Sequence, residues 1–319
     1  MKKCFVVILI SLFSQFLIAQ TSQTDSLKQE LKIYFNASNT TIVKDTTAIK
    51  NLIQVSKNYL FKDSDSSLHY INKAVALAKS TSWPVGLASA FANKGSIYFR
   101  VKYDFDSAMD LYRQAIQIHE KINESTLGGL KACKLYYLLN SCYSRQGKYK
   151  EAKTEILQSL KIAKKIEDKK YIINAYNALG SLARNLFEFE ESIDYYYECL
   201  EVIQEIDSEL HESVLYGDLA LTLDAQGKYE EANKYYKKAI EIDERIENKA
   251  GLIRHYTNSA STYRLLGELD TAIHVLNIAF RLAEETGEEY SKANIFSTLA
   301  TCYNIKGNYD LALENNLQA

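Results

Sequence analysis

Cysteines, histidines and one lysine- and tyrosine-rich stretch are the parts of this sequence that could carry chemistry. The five histidines are scattered along the chain, and neither a His-Glu-x-x-His helix nor a Cys-x2-Cys pair accompanies them. The sequence also has no Gly-rich phosphate loop and no Gly-x-Ser-x-Gly nucleophile elbow. We therefore expect no catalytic residue, no metal site and no cofactor, and we predict that the chain is not an enzyme.

The lysine- and tyrosine-rich stretch is GKYEEANKYYKKAIEI, residues 227–242. Its composition fits a nucleic-acid stripe, a cluster of modifiable tyrosines or one face of a packed helix. Glu230 and Lys234 are four residues apart, so the charges alternate as pairs on a solvated helix face. Over the whole chain, 38 Lys and Arg nearly balance 40 Asp and Glu. We therefore predict no nucleic-acid partner.

The first twenty residues have the form of a secretory signal peptide. Lys2 and Lys3 precede an apolar run from Cys4 to Phe13. Ser14 and Gln15 interrupt this run before a second short apolar group at residues 17–19. The run is shorter than the ~20 apolar residues that a membrane span requires, which disfavours the alternative of an anchoring helix. No other segment is apolar enough to span a bilayer. We predict a signal peptide at 1–20 and an exported chain, either periplasmic or secreted.

Export places the cysteines in an oxidising compartment, where disulfides form. Cys133 and Cys142 are nine residues apart on one predicted helix, and at ~100° per residue they lie on opposite faces. They cannot pair with each other. Together with Cys199 and Cys302, they are interpreted as small apolar packing residues.

A self-similar block recurs along the chain, and its spacing is forty residues from Ala152 onward. Each block has a small residue, a larger side chain four positions later and usually a second small residue three positions after that. Ala232, Tyr236 and Ala239 are one example, and these offsets lie on one helical face. The first small residue of each block, called its anchor, is Ser67, Ala108, Ala152, Ser192, Ala232, Ala272 or Ala312.

A second helix is predicted before each anchor, with an aromatic residue such as Tyr176, Tyr216 or Tyr256 recurring in it. A short turn such as QGKY at Gln226 separates the two helices, and its Gly suits a left-handed helix end. With only one Pro and 12 Gly, the sequence lacks the turn residues of a many-stranded fold. The sequence predicts an all-α protein built from helical hairpins.

These blocks resemble the tetratricopeptide repeat from Lys50 to Ala319. Tyr176, Leu179, Gly180, Ser192 and Tyr196 carry the resemblance in the fourth unit, where Phe187 takes the place of the turn Gly. The period of forty exceeds the usual 34 of the family, as in long-repeat relatives such as kinesin light chain. The resemblance implies a right-handed α-α superhelix of about seven hairpins at 48–319, after a helix and polar linker at 21–47.

The resemblance also implies that the first helix of each hairpin lines a concave groove. Side chains able to hydrogen-bond a peptide backbone or to hold a carboxylate recur at the groove positions. These candidate groove residues are Arg100, Ser141, Arg145, Asn174, Asn177, Ser181, Arg184, Arg254, Asn258, Ser261, Arg264, Asn294 and Asn304. We expect a peptide ligand with an acidic side chain or C-terminal carboxylate along Arg100, Arg145, Arg184 and Arg264; the alternative is that these side chains are ordinary solvated residues.

Two functions fit this organisation. The first is a non-enzymatic scaffold that binds a protein or peptide in its groove. The second is the extracytoplasmic input region of a membrane-bound signalling protein, such as a histidine kinase. The seventh unit stops at Ala319, within its second helix, so we expect a further C-terminal part that could also anchor the chain to a membrane.

Overall fold

The computed structural model describes residues 22–36, 42–122 and 126–319, and all regular structure within these ranges is helical. The prediction of an all-α protein built from helical hairpins is confirmed. The predicted signal peptide at 1–20 lies outside the described residues. The chain divides into two compact units, Met1–Ile166 and Glu167–Ala319.

The first unit begins with helix α1 at 22–36 and continues in three helical hairpins. Helix α2 begins before residue 48, where the repeat array was predicted to start, and it shares a buried core with Leu31 of α1. A short π-helical segment, Tyr98–Lys102, follows α4. The further helices are α2 (Ile42–Tyr59), α3 (Ser64–Ser80), α4 (Pro84–Ile97), α5 (Phe105–Ile122), α6 (Thr126–Arg145) and α7 (Tyr149–Lys165).

The second unit consists of four hairpins, each a first helix followed by a second helix that packs against it. Its helices are α8 (Lys169–Asn185), α9 (Phe189–Ile206), α10 (Glu209–Ala225), α11 (Tyr229–Arg245), α12 (Lys249–Leu265), α13 (Leu269–Thr286), α14 (Glu289–Ile305) and α15 (Tyr309–Gln318). Loops of two or three residues connect consecutive helices, which makes each hairpin antiparallel.

The core of each hairpin is built from the recurring small and large residues. All seven anchors are buried, and so are the large residues four positions after the first six of them, among them Tyr112, Tyr196 and Tyr236. In the seventh hairpin the corresponding residue is Asn316, which is exposed. The ring of Tyr196 lies directly against the backbone of Gly180, where an added Cβ would come within 2.4 Å of it. A small residue on the first helix therefore admits the ring from the second.

From the second hairpin onward, the turn inside each hairpin contains one residue with a left-handed backbone. Gly227 has φ +78°, and Phe187 has φ +62° at the corresponding place between α8 and α9. A residue with a Cβ pays a steric penalty in this conformation. The Phe187 side chain is 78% exposed, so burial of its ring does little to offset that penalty.

Replacing the anchor Ala232 by Trp is expected to lower the melting temperature through overpacking, since Ala232 is fully buried beneath the neighbouring helix. We expect a loss of about 1–3 kcal/mol in the free energy of unfolding, measured by chemical denaturation. The control is Lys237→Glu, at an exposed position of the same helix, which should change stability little. Equal effects of the two substitutions would contradict this packing register.

Replacing Phe187 by Gly is expected to stabilise the protein by about 1 kcal/mol, because it removes the penalty of a side chain at positive φ. The reverse substitution, Gly227→Phe, places an aromatic residue in the equivalent turn and should cost a similar amount. Urea denaturation of both variants measures the two changes. A loss of stability in Phe187→Gly would show that the exposed ring contributes more than the backbone strain removes.

Candidate functional site

In the first unit, the candidate groove residues lie on the last turns of α6 and on the π-helical segment. Arg145 ends α6, and its guanidinium lies 5.3 Å from the centroid of the Phe99 ring. Arg100 follows Phe99 and is exposed. Ser141 donates its hydroxyl to the carbonyl of Tyr137 at 3.0 Å, within its own helix. The two arginines thus lie on neighbouring hairpins, and the guanidinium of Arg145 packs against the ring of Phe99 in the hairpin that contains Arg100.

In the second unit, an aspartate that the sequence analysis did not single out organises the candidate groove residues. Asp218 of α10 accepts a hydrogen bond from the Asn177 amide at 2.7 Å through its carboxylate. The guanidinium of Arg184 donates to the backbone carbonyl of Asp218 at 3.4 Å. Burial raises the pKa of Asp218, and the Asn177 bond with the charges of Arg184 and Arg254 opposes that rise. Asp218 therefore offsets part of the positive charge expected here.

Arg254 of α12 differs from Arg184 because its side chain is exposed. One guanidinium nitrogen lies 3.3 Å from Nε2 of His255. Arg254 is therefore the arginine of this group best able to receive a carboxylate from outside.

Three candidate groove residues, Asn174, Asn177 and Arg254, line one cavity of about 370 Å³. The first helices α8, α10 and α12 contribute its polar rim, and apolar side chains from α9 and α10 lie among its walls. These apolar residues include Cys199, Ile203, Val214 and Leu215. A cavity with apolar walls and a few convergent polar groups is the usual form of a binding site.

The other candidate groove residues of the second unit do not line this cavity. Ser181 is 3.2 Å from the hydroxyl of the buried Tyr196, which links it to the core. Asn304 lines a separate cavity of about 340 Å³ beside Tyr309 and Leu313. Ser261, Arg264 and Asn258 are half-buried, and Asn294 is exposed.

A buried polar network lies behind Arg254. Asp243, fully buried, accepts hydrogen bonds from Ser213 at 2.6 Å and from the Asn248 amide at 2.8 Å. Its second oxygen is 2.8 Å from Nδ1 of His255. A serine nucleophile needs direct contact with the histidine, but here the carboxylate lies between Ser213 and His255. The network is thus arranged to satisfy buried polar groups, not to activate a serine.

Asp224 of α10 is a second aspartate that accepts hydrogen bonds from other helices. The hydroxyl of Tyr236 donates to its carboxylate at 2.9 Å, and Thr262 of the next hairpin donates to it at the same distance. Burial raises the pKa of Asp224, and these two hydrogen bonds oppose that rise. Tyr236 of the second helix α11 thus also holds a polar side chain of the first helix α10 in place.

A metal-binding cluster and a membrane-spanning helix are both absent from the described ranges 22–36, 42–122 and 126–319. No cluster of three or more His, Cys, Asp and Glu in these ranges could hold a metal ion. None of the helices described there combines the length and apolarity of a membrane span. All four cysteines of the described part are buried, as expected of packing residues.

Sequence models of the tetratricopeptide repeat match this chain over residues 87–125, 134–166, 171–245 and 251–319. Together they cover more than half of the 319 residues. Outer dynein arm-docking complex subunit 4 of Danio rerio is 28% identical over 137 residues. That alignment covers 43% of this chain and 26% of the relative. The chain therefore spans about a quarter of the relative's length.

Two solved structures of Rap proteins share the fold. The apo form of RapI has a TM-score of 0.64 and 15% identity, covering 85% of this chain and 95% of RapI. A Rap protein complexed with competence and sporulation factor has a TM-score of 0.57 and 13% identity, covering 92% of this chain and 89% of that protein. Identities this low establish similarity of fold alone.

The buried His255 is expected to make stability depend on pH. Burial, with the nearby charge of Arg254, lowers the pKa of His255, against the opposing effect of Asp243. Because the unfolded histidine has a pKa of about 6.5, the unfolded chain takes up the proton first as the pH falls. The free energy of unfolding should therefore fall by roughly 1–2 kcal/mol between about pH 7 and about pH 5 through this residue.

Urea denaturation of the wild type and of His255→Gln at both pH values tests this dependence. Glutamine keeps a hydrogen-bond donor for Asp243 but does not titrate. The variant should lose that part of the pH dependence, whatever its absolute stability. An unchanged dependence would assign the titration to another group.

Proposed function

Because the chain belongs to the tetratricopeptide repeat family, we propose that it is a non-enzymatic scaffold that binds a peptide or an extended protein segment on the first helices of its hairpins. The observation that carries this proposal is the cavity beside Asn174, Asn177 and Arg254. Its apolar walls suit one side chain of a peptide, and its polar rim suits the peptide's backbone and charge.

The chemistry of the rim favours a ligand with a carboxylate near an apolar side chain. Arg254 is exposed and can bond a carboxylate through two N–H groups, while Arg184 already donates to Asp218. Asn174 carries an amide of the kind that recognises a peptide backbone, and the Asn177 amide, which donates to Asp218, lines the same cavity. We therefore place the carboxylate of the ligand at Arg254.

The named Rap structures offer a parallel at the level of fold. One of them contains competence and sporulation factor as a bound partner. By analogy, the repeat array of this chain is suited to hold a small proteinaceous ligand. This parallel supports a peptide or protein as the ligand.

We further propose that the scaffold acts outside the cytoplasm, in the periplasm or as a secreted chain. The support is the signal-type segment at 1–20, with Lys2 and Lys3 ahead of its apolar run. The same segment favours a second candidate function, the extracytoplasmic sensor region of a membrane-bound signalling protein. In that case peptide binding to the first helices would be the input signal.

Selection from a library of random heptapeptides with free C termini tests the proposal. We expect enriched peptides with an apolar residue close to a terminal or side-chain carboxylate. Isothermal titration calorimetry should show about tenfold or greater loss of affinity in Arg254→Ala and a weaker salt dependence, because a charge-assisted pair is removed.

The matched control is Arg281→Ala, which removes an exposed arginine from the second helix α13. This variant should bind the selected peptide as the wild type does. Failure to enrich any peptide would contradict the proposed function. Equal affinities of the wild type and Arg254→Ala would contradict the position given to the carboxylate.

A further inference from the structure

A second cavity, of about 260 Å³, lies against the helices α11, α12 and α13. Tyr256, Ser259 and Tyr263 of α12 line this cavity. The candidate groove residues of α12 include Arg254 and Asn258 instead. Residues 254 and 256 are ~200° apart around the helix, so the two sites lie on different faces of α12. The second cavity is therefore separate from the proposed peptide site.

The repeat itself shows how this cavity arises. Ser259 stands forty residues after Leu219 and forty before Leu299, and Leu139 and Leu179 occupy the same place in earlier hairpins. All four leucines are at most 4% exposed, so this position is a core position. A serine there fills much less space than a leucine, and part of that space belongs to the cavity.

Asn233 is the second departure from the pattern. The corresponding residues of the hairpins on either side are Ile193 and Ile273, both half-buried against apolar neighbours. Asn233 is only 7% exposed, and its side-chain oxygen has no hydrogen-bond partner in the described part of the chain. A buried, unpaired carbonyl of this kind is costly, and a ligand donor would remove that cost.

In the preceding hairpin, the corresponding gap is closed at the surface. The hydroxyls of Tyr197 and Tyr235 meet there at 2.9 Å. Forty residues later the same two positions are Lys237 and Val275, which line the cavity without an equivalent bond. Ser259 and Asn233 thus enlarge the interior of the cavity. Lys237 and Val275 leave its opening to the surface accessible.

We propose that this cavity binds a small aromatic group that carries one hydrogen-bond donor, of the phenol or indole type. Tyr256, Tyr263 and Val275 supply walls for a flat apolar ring. The oxygen of Asn233 accepts the hydrogen bond of the ring's O–H or N–H group. Lys237 and Glu241 line the cavity with opposite charges, which favours a neutral ligand over an ionic one.

The test measures binding of p-cresol and indole to the full chain by ligand-observed NMR and calorimetry. Both are expected to bind saturably, and toluene, which is p-cresol without its hydroxyl, should bind about tenfold more weakly. Equal binding of toluene would overturn the role of Asn233. Tighter binding of n-butylamine than of p-cresol would overturn the aromatic assignment.

Two substitutions that restore the residues of neighbouring hairpins provide the matched variants. Asn233→Ile and Ser259→Leu should each abolish the binding of p-cresol while retaining or raising the melting temperature, because neighbouring repeats pack these residues. Unchanged binding in both variants, or no saturable binding to the wild type, would overturn the proposal. Arg254→Ala should leave p-cresol binding unchanged, so this test and the peptide test fail independently.

The same aromatic group could come from a free compound or from a partner's Tyr or Trp side chain. Comparing indole with the peptide Gly-Gly-Trp-Gly-Gly distinguishes these sources. Tighter binding of the peptide assigns the cavity to a partner protein, and tighter binding of indole assigns it to a free small molecule. Binding of neither would overturn the proposal.

Discussion

The packing of a small, a large and a second small residue on the second helices of the first six hairpins is the constraint on which the rest of the structure depends. Ala232, Tyr236 and Ala239 are all fully buried, so the first helix approaches closely over the small residues while the ring fills the space between them. The hydroxyl of Tyr236 extends beyond this core to Asp224. The same contact that stabilises a hairpin therefore also positions polar side chains on its first helix.

This dependence explains how far the sequence predicts the structure. Helices, turns and anchors follow from spacing within one hairpin, and a repeated spacing is visible in a single sequence. The bond between Asn177 and Asp218 joins residues 41 positions apart on different hairpins. The pattern indicates that such residues can face one another, but not which of them bond. Asp243 and His255 were missed for a related reason, since charged residues are usually exposed and only the structure shows these two buried as a pair.

The position of Asp218 changes the electrostatics expected of the candidate groove. A row of arginines predicts a uniformly positive surface, but the carboxylate of Asp218 lies close enough to Arg184 and Arg254 to interact with both charges. Part of the charge is thereby neutralised within the protein, and the guanidinium of Arg254 is more exposed than that of Arg184. In the first unit, Arg145 instead packs against the ring of Phe99. An aromatic ring has no net charge, so this contact does not neutralise the charge of Arg145.

A repeat protein also provides its own reference for deciding which core residues serve packing alone. Neighbouring hairpins place leucine at the position of Ser259 and isoleucine at that of Asn233, so the fold accommodates the larger apolar residues at both positions. The smaller polar residues bury less apolar area, and the Asn233 oxygen has no hydrogen-bond partner among the described residues. Two such losses that face one cavity are not explained by the stability of the hairpin. They are explained if the cavity has an occupant that restores both the apolar contact and the hydrogen bond.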